Sequence, residues 1–268
     1  MGVVMDRMRT ALFVPGDRPE RFVKALSTEA DVIIIDLEDA VLPDHKNAAR
    51  ECVHALSLQG KPVLLRINGF GTPWFQDDLT LLSASSFAGV MIPKSESVDA
   101  LEIVRSTNPA MPLYPLVETV GGAMALEKLS VFPGVARLVF GTVDFALDSG
   151  IQDESGWLPI RTSMVLASRQ AGIQAPIDGV VLDWKDPAYL QAQASTSRRL
   201  GFGGRLCIHP MQVGPINTGM LPTEQEQDWA RRVLIAFSEA GHGAIVIDGK
   251  LVDEPLRKLA ERWLGQVQ

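Results

Sequence analysis

The chain has 268 residues, 46% hydrophobic and 21% charged, with a formal charge of −7. That composition excludes a disordered chain and suits one sizeable core of the length common to α/β barrels. Lys and Arg are scattered rather than clustered, so no nucleic-acid partner is expected.

Cys52 and Cys207 fall in no Cys-x-x-Cys or zinc spacing and read as buried free thiols. The stretch Met1 to Thr10 carries Asp6, Arg7 and Arg9 and no apolar leader core. No run approaches the roughly 18 apolar residues of a membrane span. No membrane partner and a cytoplasmic location are the expectation.

In chain order, eight apolar runs predict strands: Ala11–Val14, Val32–Leu37, Pro62–Asn68, Gly89–Pro93, Leu113–Val117, Ala136–Phe140, Ile177–Leu182 and Arg205–His209. They are continuous rather than alternating, as suits parallel strands buried on both faces. Helical stretches lie between them, at Arg18–Thr28, Asp44–Leu58, Pro73–Ser85, Ser97–Thr107, Ala123–Ser130, Leu158–Ala171 and Pro187–Leu200. Regular strand–helix alternation implies right-handed βαβ units. The rival is an open dinucleotide-binding sheet, but Val14-Pro15-Gly16-Asp17 lacks that fold's glycine fingerprint. A closed (β/α)8 barrel over residues 1–221 is therefore expected.

The period breaks after the eighth strand. Residues 222–268 predict a helix over Pro222–Ala240, a strand over Ala244–Ile247, a hairpin turn at Asp248-Gly249 and a helix over Glu254–Leu264. This helix–hairpin–helix tail reads as too small to fold alone, and its segment after Gly241 as too small to bury its own apolar face (Leu251, Val252, Leu256, Leu259, Trp263, Leu264). It is expected to cover the barrel mouth or exchange with a neighbouring subunit.

Catalytic groups of such barrels sit at the C-terminal ends of strands. Those ends supply Asp36, Glu38 and Asp39, then Arg66 and Asn68, Lys94, Glu118, Asp144, Asp183 and His209. Glu118 and Asp144 are candidate metal ligands, because Mg²⁺ takes one or two carboxylates and fills its octahedron with water and substrate oxygens. Arg66 offers a planar fork suited to a carboxylate or enolate. Asp36, Glu38 and Asp39 read as supports for Arg66 or for metal-bound water, with helix capping an equal account of Asp39. His45 reads as exposed in a polar helix start, and His209 as a structural hydrogen-bonding residue.

Several motifs join these residues: Leu12-Phe13-Val14-Pro15-Gly16-Asp17-Arg18-Pro19-Glu20-Arg21-Phe22, Ile35-Asp36-Leu37-Glu38-Asp39-Ala40-Val41 with Lys46 and Arg50, and Arg66-Ile67-Asn68 followed by Gly71-Thr72-Pro73-Trp74. Further on come Ile92-Pro93-Lys94-Ser95-Glu96, Leu116-Val117-Glu118-Thr119, Phe140-Gly141 leading to Asp144, and Ile208-His209-Pro210 with Gln212. In these the chain resembles the citrate lyase β-subunit-like proteins of the HpcH/HpaI aldolase superfamily, along essentially its whole length.

The resemblance implies a TIM barrel holding Mg²⁺ through Glu118 and Asp144, with Arg66 on the substrate carboxylate or enolate. It implies a lyase that converts citryl, malyl or citramalyl thioesters to a 2-oxo acid and an acyl thioester, or the reverse. It implies a homotrimer or larger assembly, in which Asp253, in Gly249-Lys250-Leu251-Val252-Asp253-Glu254-Pro255, reaches a neighbour's site as acid or base. Arg18 and Arg21 would meet the phosphates of CoA, and Lys94 would contact substrate. Two positions depart from the pattern: Val143 stands where many members carry Glu, and Gly69 where proline is frequent. Three functions remain open: an acyl-CoA lyase, a citrate lyase complex subunit acting on an acyl-carrier-protein thioester, and a catalytically silent barrel with a binding role.

Overall fold

A computed structural model describes residues 7–56, 60–84, 87–240 and 243–267. The N-terminal reading at residues 1–6, the expected helix ends at Leu58 and Ser85, and Gly241 and His242 lie outside the described residues.

Eight parallel strands close into a barrel in chain order. They are β1 (Thr10–Pro15), β2 (Val32–Asp36), β3 (Val63–Arg66), β4 (Gly89–Ile92), β5 (Leu113–Val117), β6 (Val139–Phe140), β7 (Ile177–Asp178) and β8 (Gly204–Cys207). Pairing of Leu12 with Cys207 closes the ring, and Asp36 lies level with Pro15 on one side and Arg66 on the other. Side chains alternate between the two faces of each strand. One set, including Ala11, Ile34, Leu64, Met91, Leu116 and Leu206, fills the barrel interior. The other, including Leu12, Ile33, Leu65, Val90, Val117 and Cys207, packs beneath the helices. Burial of both sets is why the strands read as unbroken apolar runs.

The outer helices are α1 (Pro19–Leu26), α2 (Lys46–His54), α3 (Phe75–Ala84), α4 (Asp99–Thr107), α5 (Val120–Met124), α6 (Leu126–Ser130), α7 (Thr142–Ser149), α8 (Leu158–Gln170), α9 (Pro187–Leu200) and α10 (Val213–Gly219). Pro19 and Pro187 occupy first-turn positions, and Gly201, at φ 102°, ends α9 in the left-handed conformation that glycine adopts without a Cβ penalty.

Three expectations need correction. The expected helix Ala123–Ser130 starts earlier, at Val120, because the Thr119 side chain accepts a hydrogen bond from Gly122 N, and it breaks at Ala125. The strand expected to run to Leu182 stops at Asp178, whose side chain accepts from Gly179 N and turns the chain. Helix α7 was not foreseen, since its Val143 and Leu147 are exposed and give no buried stripe.

The C-terminal extension is α11 (Glu224–Ala240), the antiparallel hairpin β9 (Ile245–Ile247) and β10 (Lys250–Val252), and α12 (Glu254–Val267). The segment after Gly241 docks on α11. Ala230 and Val233 of α11 meet Ile247, Val252 and Ala260, with Trp229 edge-on to Trp263 at 5.5 Å. The long helix α11 supplies the partner that the hairpin and last helix lack by themselves. Val246 and Leu251 remain exposed.

Candidate active site at the C-terminal mouth of the barrel

The inward alternation that places Ile34 and Leu64 in the interior carries Asp36 and Arg66, two residues further on, to its upper rim. Leu116 and Glu118 repeat the step on β5. The loops then add Glu38, Asp39, Lys94 and Asp144.

Arg66 is buried and clamped along one edge by Asp36. Its Nε and Nη2 donate to Asp36 Oδ1 and Oδ2 at 2.6 and 2.5 Å. Its Nη1 faces Glu38 Oε2 at 3.0 Å and Asp39 Oδ2 at 3.7 Å, and the guanidinium lies 4.9 Å from the Phe13 ring centre. Burial opposes the charge, but Asp36 and then Glu38 and Asp39 outweigh it and hold the pKa above the ordinary arginine value. Asp36 also accepts from the N–H groups of Glu38 and Ala40, so one carboxylate fixes both the guanidinium and the loop after β2. Asp39 is exposed and caps no helix; its partner is Arg66.

Lys94 adopts φ 48°, a left-handed conformation uncommon outside glycine. That turn aims its N–H at Glu118 Oε1, 2.8 Å away, while its Nζ reaches Glu38 Oε1 at 2.7 Å. Glu118 is buried, and burial, followed by the negative charges of Glu38 and Asp144, raises its pKa to about 8. Burial likewise raises the pKa of Glu38, against the pull of Arg66 and Lys94. Gly141, at the end of β6, admits Glu118: a Cβ there would stand 2.5 Å from Glu118 Cβ. Asp144 sits in the first turn of α7, one residue after Val143.

These groups border a cavity of about 610 Å³, lined by Asp36, Asp39, Arg66, Glu118, Asp144 and Val143 among others. Arg21 and Lys24 of α1 extend the lining. Of the expected residues, Glu38, Lys94 and Arg18 are not on the cavity wall; Arg18 lies 3.9 Å from Asp17. Asp253 is exposed between β10 and α12, away from its own chain's mouth lining. Asp183 is exposed outside β7. His209 caps the turn after β8, accepting from Met211 N at 3.2 Å and stacking on Trp184.

Sequence reasoning passed over three supports. Lys46, noted only as part of a motif, is buried and donates to the carbonyls of Leu37 and Glu38 at 2.7 Å each; His45 beside it is exposed, as expected, and pairs with Asp17. Asp78 of α3 accepts from Asn68 N and Nδ2 and from Arg50, pinning the chain beyond Arg66. Gly141 was noted only as part of a motif. Cys207 is buried with its thiol pushed up to about 12 by burial, which removes it as a nucleophile. Cys52 is half-buried rather than buried.

Among the described residues no three His, Cys, Asp or Glu side chains form a ready metal cage. Two carboxylates on one cavity, with room for substrate and water oxygens, match the demands of Mg²⁺ rather than those of zinc.

A closed (β/α)8 barrel with paired carboxylates and a clamped guanidinium at its C-terminal mouth is the layout of a barrel enzyme. The HpcH/HpaI aldolase/citrate lyase family model matches residues 9–210. The chain belongs to this family, and its class is that of the family's carbon–carbon lyases. It is 34% identical to the citrate lyase subunit beta-like protein of Deinococcus radiodurans, over 96% of each chain. It is 32% identical to the L-malyl-CoA/beta-methylmalyl-CoA lyase of Cereibacter sphaeroides, over 97% of this chain and 94% of that protein. Among solved structures it resembles the protein CitE from Mycobacterium tuberculosis in complex with magnesium, acetoacetate and coenzyme A, with a TM-score of 0.88, 32% identity and 98% of each chain covered.

Proposed function

We propose that the chain is a Mg²⁺-dependent acyl-CoA lyase, cleaving or forming a 3-hydroxyacyl thioester of the citryl, malyl or citramalyl type. The observation that carries this reading is the charge of the mouth. Glu118 and Asp144 border one cavity with the clamped Arg66, and among the described residues neither carboxylate has an ion-pair partner, the place that a divalent cation would take. Glu118 and Asp144 would hold it. When bound, the metal supplies Lewis-acid polarisation of the 2-oxo acid oxygens.

The chain's own groups do the rest. Arg66, held by Asp36, turns its Nη1 edge to the substrate carboxylate and to the negative charge that develops as the thioester leaves as an enolate. Preorganisation is the point of the clamp, since a fixed fork needs no rearrangement when charge appears. Asp36, Glu38 and Asp39 support that fork, and Lys94 holds Glu118 through its N–H. Arg21 and Arg18 receive the phosphates of CoA. In cleavage a base takes the hydroxyl proton, and we assign it to Asp253 from a neighbouring subunit, since this residue is exposed and lines no part of its own mouth cavity. Residues 222–268 then act as a lid or exchange segment on the 1–221 barrel, in a homotrimer or larger assembly. No described helix is long and apolar enough to cross a membrane, and the reading places the enzyme in the cytoplasm.

A second reading is thioester hydrolysis, favoured by the 32% identity to a (3S)-malyl-CoA thioesterase of Cereibacter sphaeroides. Incubating the protein with Mg²⁺ and malyl-, citramalyl- or citryl-CoA separates the possibilities. A 2-oxo acid plus a shorter CoA thioester supports the lyase. Free CoA plus the hydroxy acid supports hydrolysis. Turnover of the acyl-carrier-protein thioester alone makes the chain a citrate lyase complex subunit, and no turnover of any makes it a binding protein.

A further inference from the structure

We propose that the N-terminal end of the barrel, opposite the mouth, carries a binding site for a small phosphorylated anion, built on Arg7, Arg9, Arg137 and Arg198.

A second cavity, of about 380 Å³, lies at that end. Its walls come from segments that lead into strands: Arg7 and Arg9 before β1, Arg137 before β6 and Phe202 before β8. Arg198 of α9 and Val267 at the end of α12 also line it, which sets the cavity on the seam between barrel and C-terminal extension. Four guanidinium groups thus line one cavity, and among the described residues no Asp or Glu does. Like charges gathered in this way repel one another unless an anion joins them.

Two of the four are paired along one edge only. Asp31 accepts from Arg9 Nη2 at 3.4 Å, and both oxygens of Glu226 in α11 accept from Arg198 Nη2, at 2.8 and 2.7 Å. Neither carboxylate lines the cavity. Among the described residues Arg9 Nη1 and Arg198 Nη1 have no partner, and the buried Nε of each has none either. The Arg198 side chain is only 8% exposed, so donors left without an acceptor are costly there and mark a place for one. Arg137 is held differently. Its Nη1 donates to the Met8 carbonyl at 3.1 Å and its Nη2 to Gln174 Oε1 at 2.8 Å, which fixes its charge at the cavity wall.

A phosphate group answers this arrangement better than a carboxylate. It offers three acceptor oxygens and about two negative charges to donors that arrive from several sides, and guanidinium forks bind it bidentately. Phe202 and Val267 add an apolar wall for the organic part of a phosphate ester.

Calorimetric titration of the full-length protein without Mg²⁺ tests the site, with inorganic phosphate, adenosine monophosphate and citrate as probes. The mouth has its own candidate phosphate ligand in Arg21, so Arg21→Gln is titrated beside Arg9→Gln and Arg198→Gln. Both phosphates should bind the wild-type and Arg21→Gln proteins alike. Each of the other two variants should bind them about tenfold more weakly or worse, the loss of one charge-assisted hydrogen bond. Arg198→Gln also releases Glu226, whereas Arg9→Gln, at a partly exposed side chain, leaves the contact between barrel and extension alone. Tighter binding of the nucleotide than of inorganic phosphate makes an ester the ligand, and equal binding makes it the free ion; either supports the site. Three results overturn it: no binding of either phosphate, binding lost in Arg21→Gln alone, or a preference of the Arg9-dependent site for citrate over both phosphates. None of them touches the lyase reading, which is tested at the opposite end of the barrel.

Discussion

Two clusters in this molecule use nearly the same parts. Between the barrel and its helices, Asp178 of β7 takes Arg161 Nε at 3.2 Å, Arg205 Nη1 at 3.3 Å and Ser197 Oγ at 2.6 Å, with Arg161 over the rings of Phe140 and Trp157. At the mouth, Asp36 of β2 takes both edges of Arg66, and Glu38, Asp39 and Lys94 gather round. In the first, Asp178, Arg161, Arg205 and Ser197 lie under the helices and off the mouth lining, with two guanidinium groups on one carboxylate. The second faces a cavity of about 610 Å³ and adjoins Glu118 and Asp144, which have no ion-pair partner among the described residues. A buried Asp–Arg pair at a strand end is therefore no mark of a site by itself. Access and uncompensated charge separate the group that binds from the group that braces.

The sharpest way to break this comparison is to remove one carboxylate from each cluster. Asp178→Ala strands two buried guanidinium groups, and breaking such a pair typically costs about 3–5 kcal/mol. A large drop in the denaturation midpoint is expected. Glu118→Ala should abolish turnover with a far smaller loss of midpoint, since the fold loses the acceptor of the Lys94 N–H rather than the partner of two buried guanidinium groups. The reverse pattern, a stable but inactive Asp178→Ala protein and an unfolded Glu118→Ala protein, would exchange the two roles.

A smaller effect is expected at Arg66. Arg66→Lys keeps the charge and loses the fork that spans Asp36, so 2-oxo acid affinity should fall by about 1–3 kcal/mol in a calorimetric titration. Unchanged affinity would class Arg66 with Arg205 as a brace. Smaller still is the activity expected from mixing two inactive proteins, Asp253→Ala and Glu118→Ala. Once subunit exchange is verified, hybrid sites should restore part of the rate. No recovery would confine Asp253 to its own chain or leave it without a role.

The barrel was legible because its strands are buried on both faces and bounded by turn residues, so eight apolar runs stood out. Where strands are short the sequence overstated them. β6 and β7 are two residues long each, and the apolar residues around them line the cavity or loops instead. The short helix α7 escaped for the opposite reason, its apolar positions facing outward. Strand-end reading collected Asp36, Arg66, Glu118 and Asp144, because charge directly after an apolar run is conspicuous. It also collected Asp183, which lies beyond the true end of β7, since that end is set by the Asp178–Gly179 contact rather than by composition. Lys46 and Asp78 lie on helices, where a charged residue ordinarily signals solvent, and only the fold shows that both are buried beneath the mouth.

The central claim is that the Glu118–Asp144 pair is a magnesium site. Titrating Mg²⁺ into the wild-type protein and into Glu118→Ala and Asp144→Ala, followed by calorimetry, tests it without reference to any substrate. One ion per mouth is expected for the wild-type protein, and a large loss of affinity for each variant at a melt that stays cooperative. Undiminished Mg²⁺ binding in both single variants would contradict the assignment and move the metal, or the function, elsewhere in the molecule.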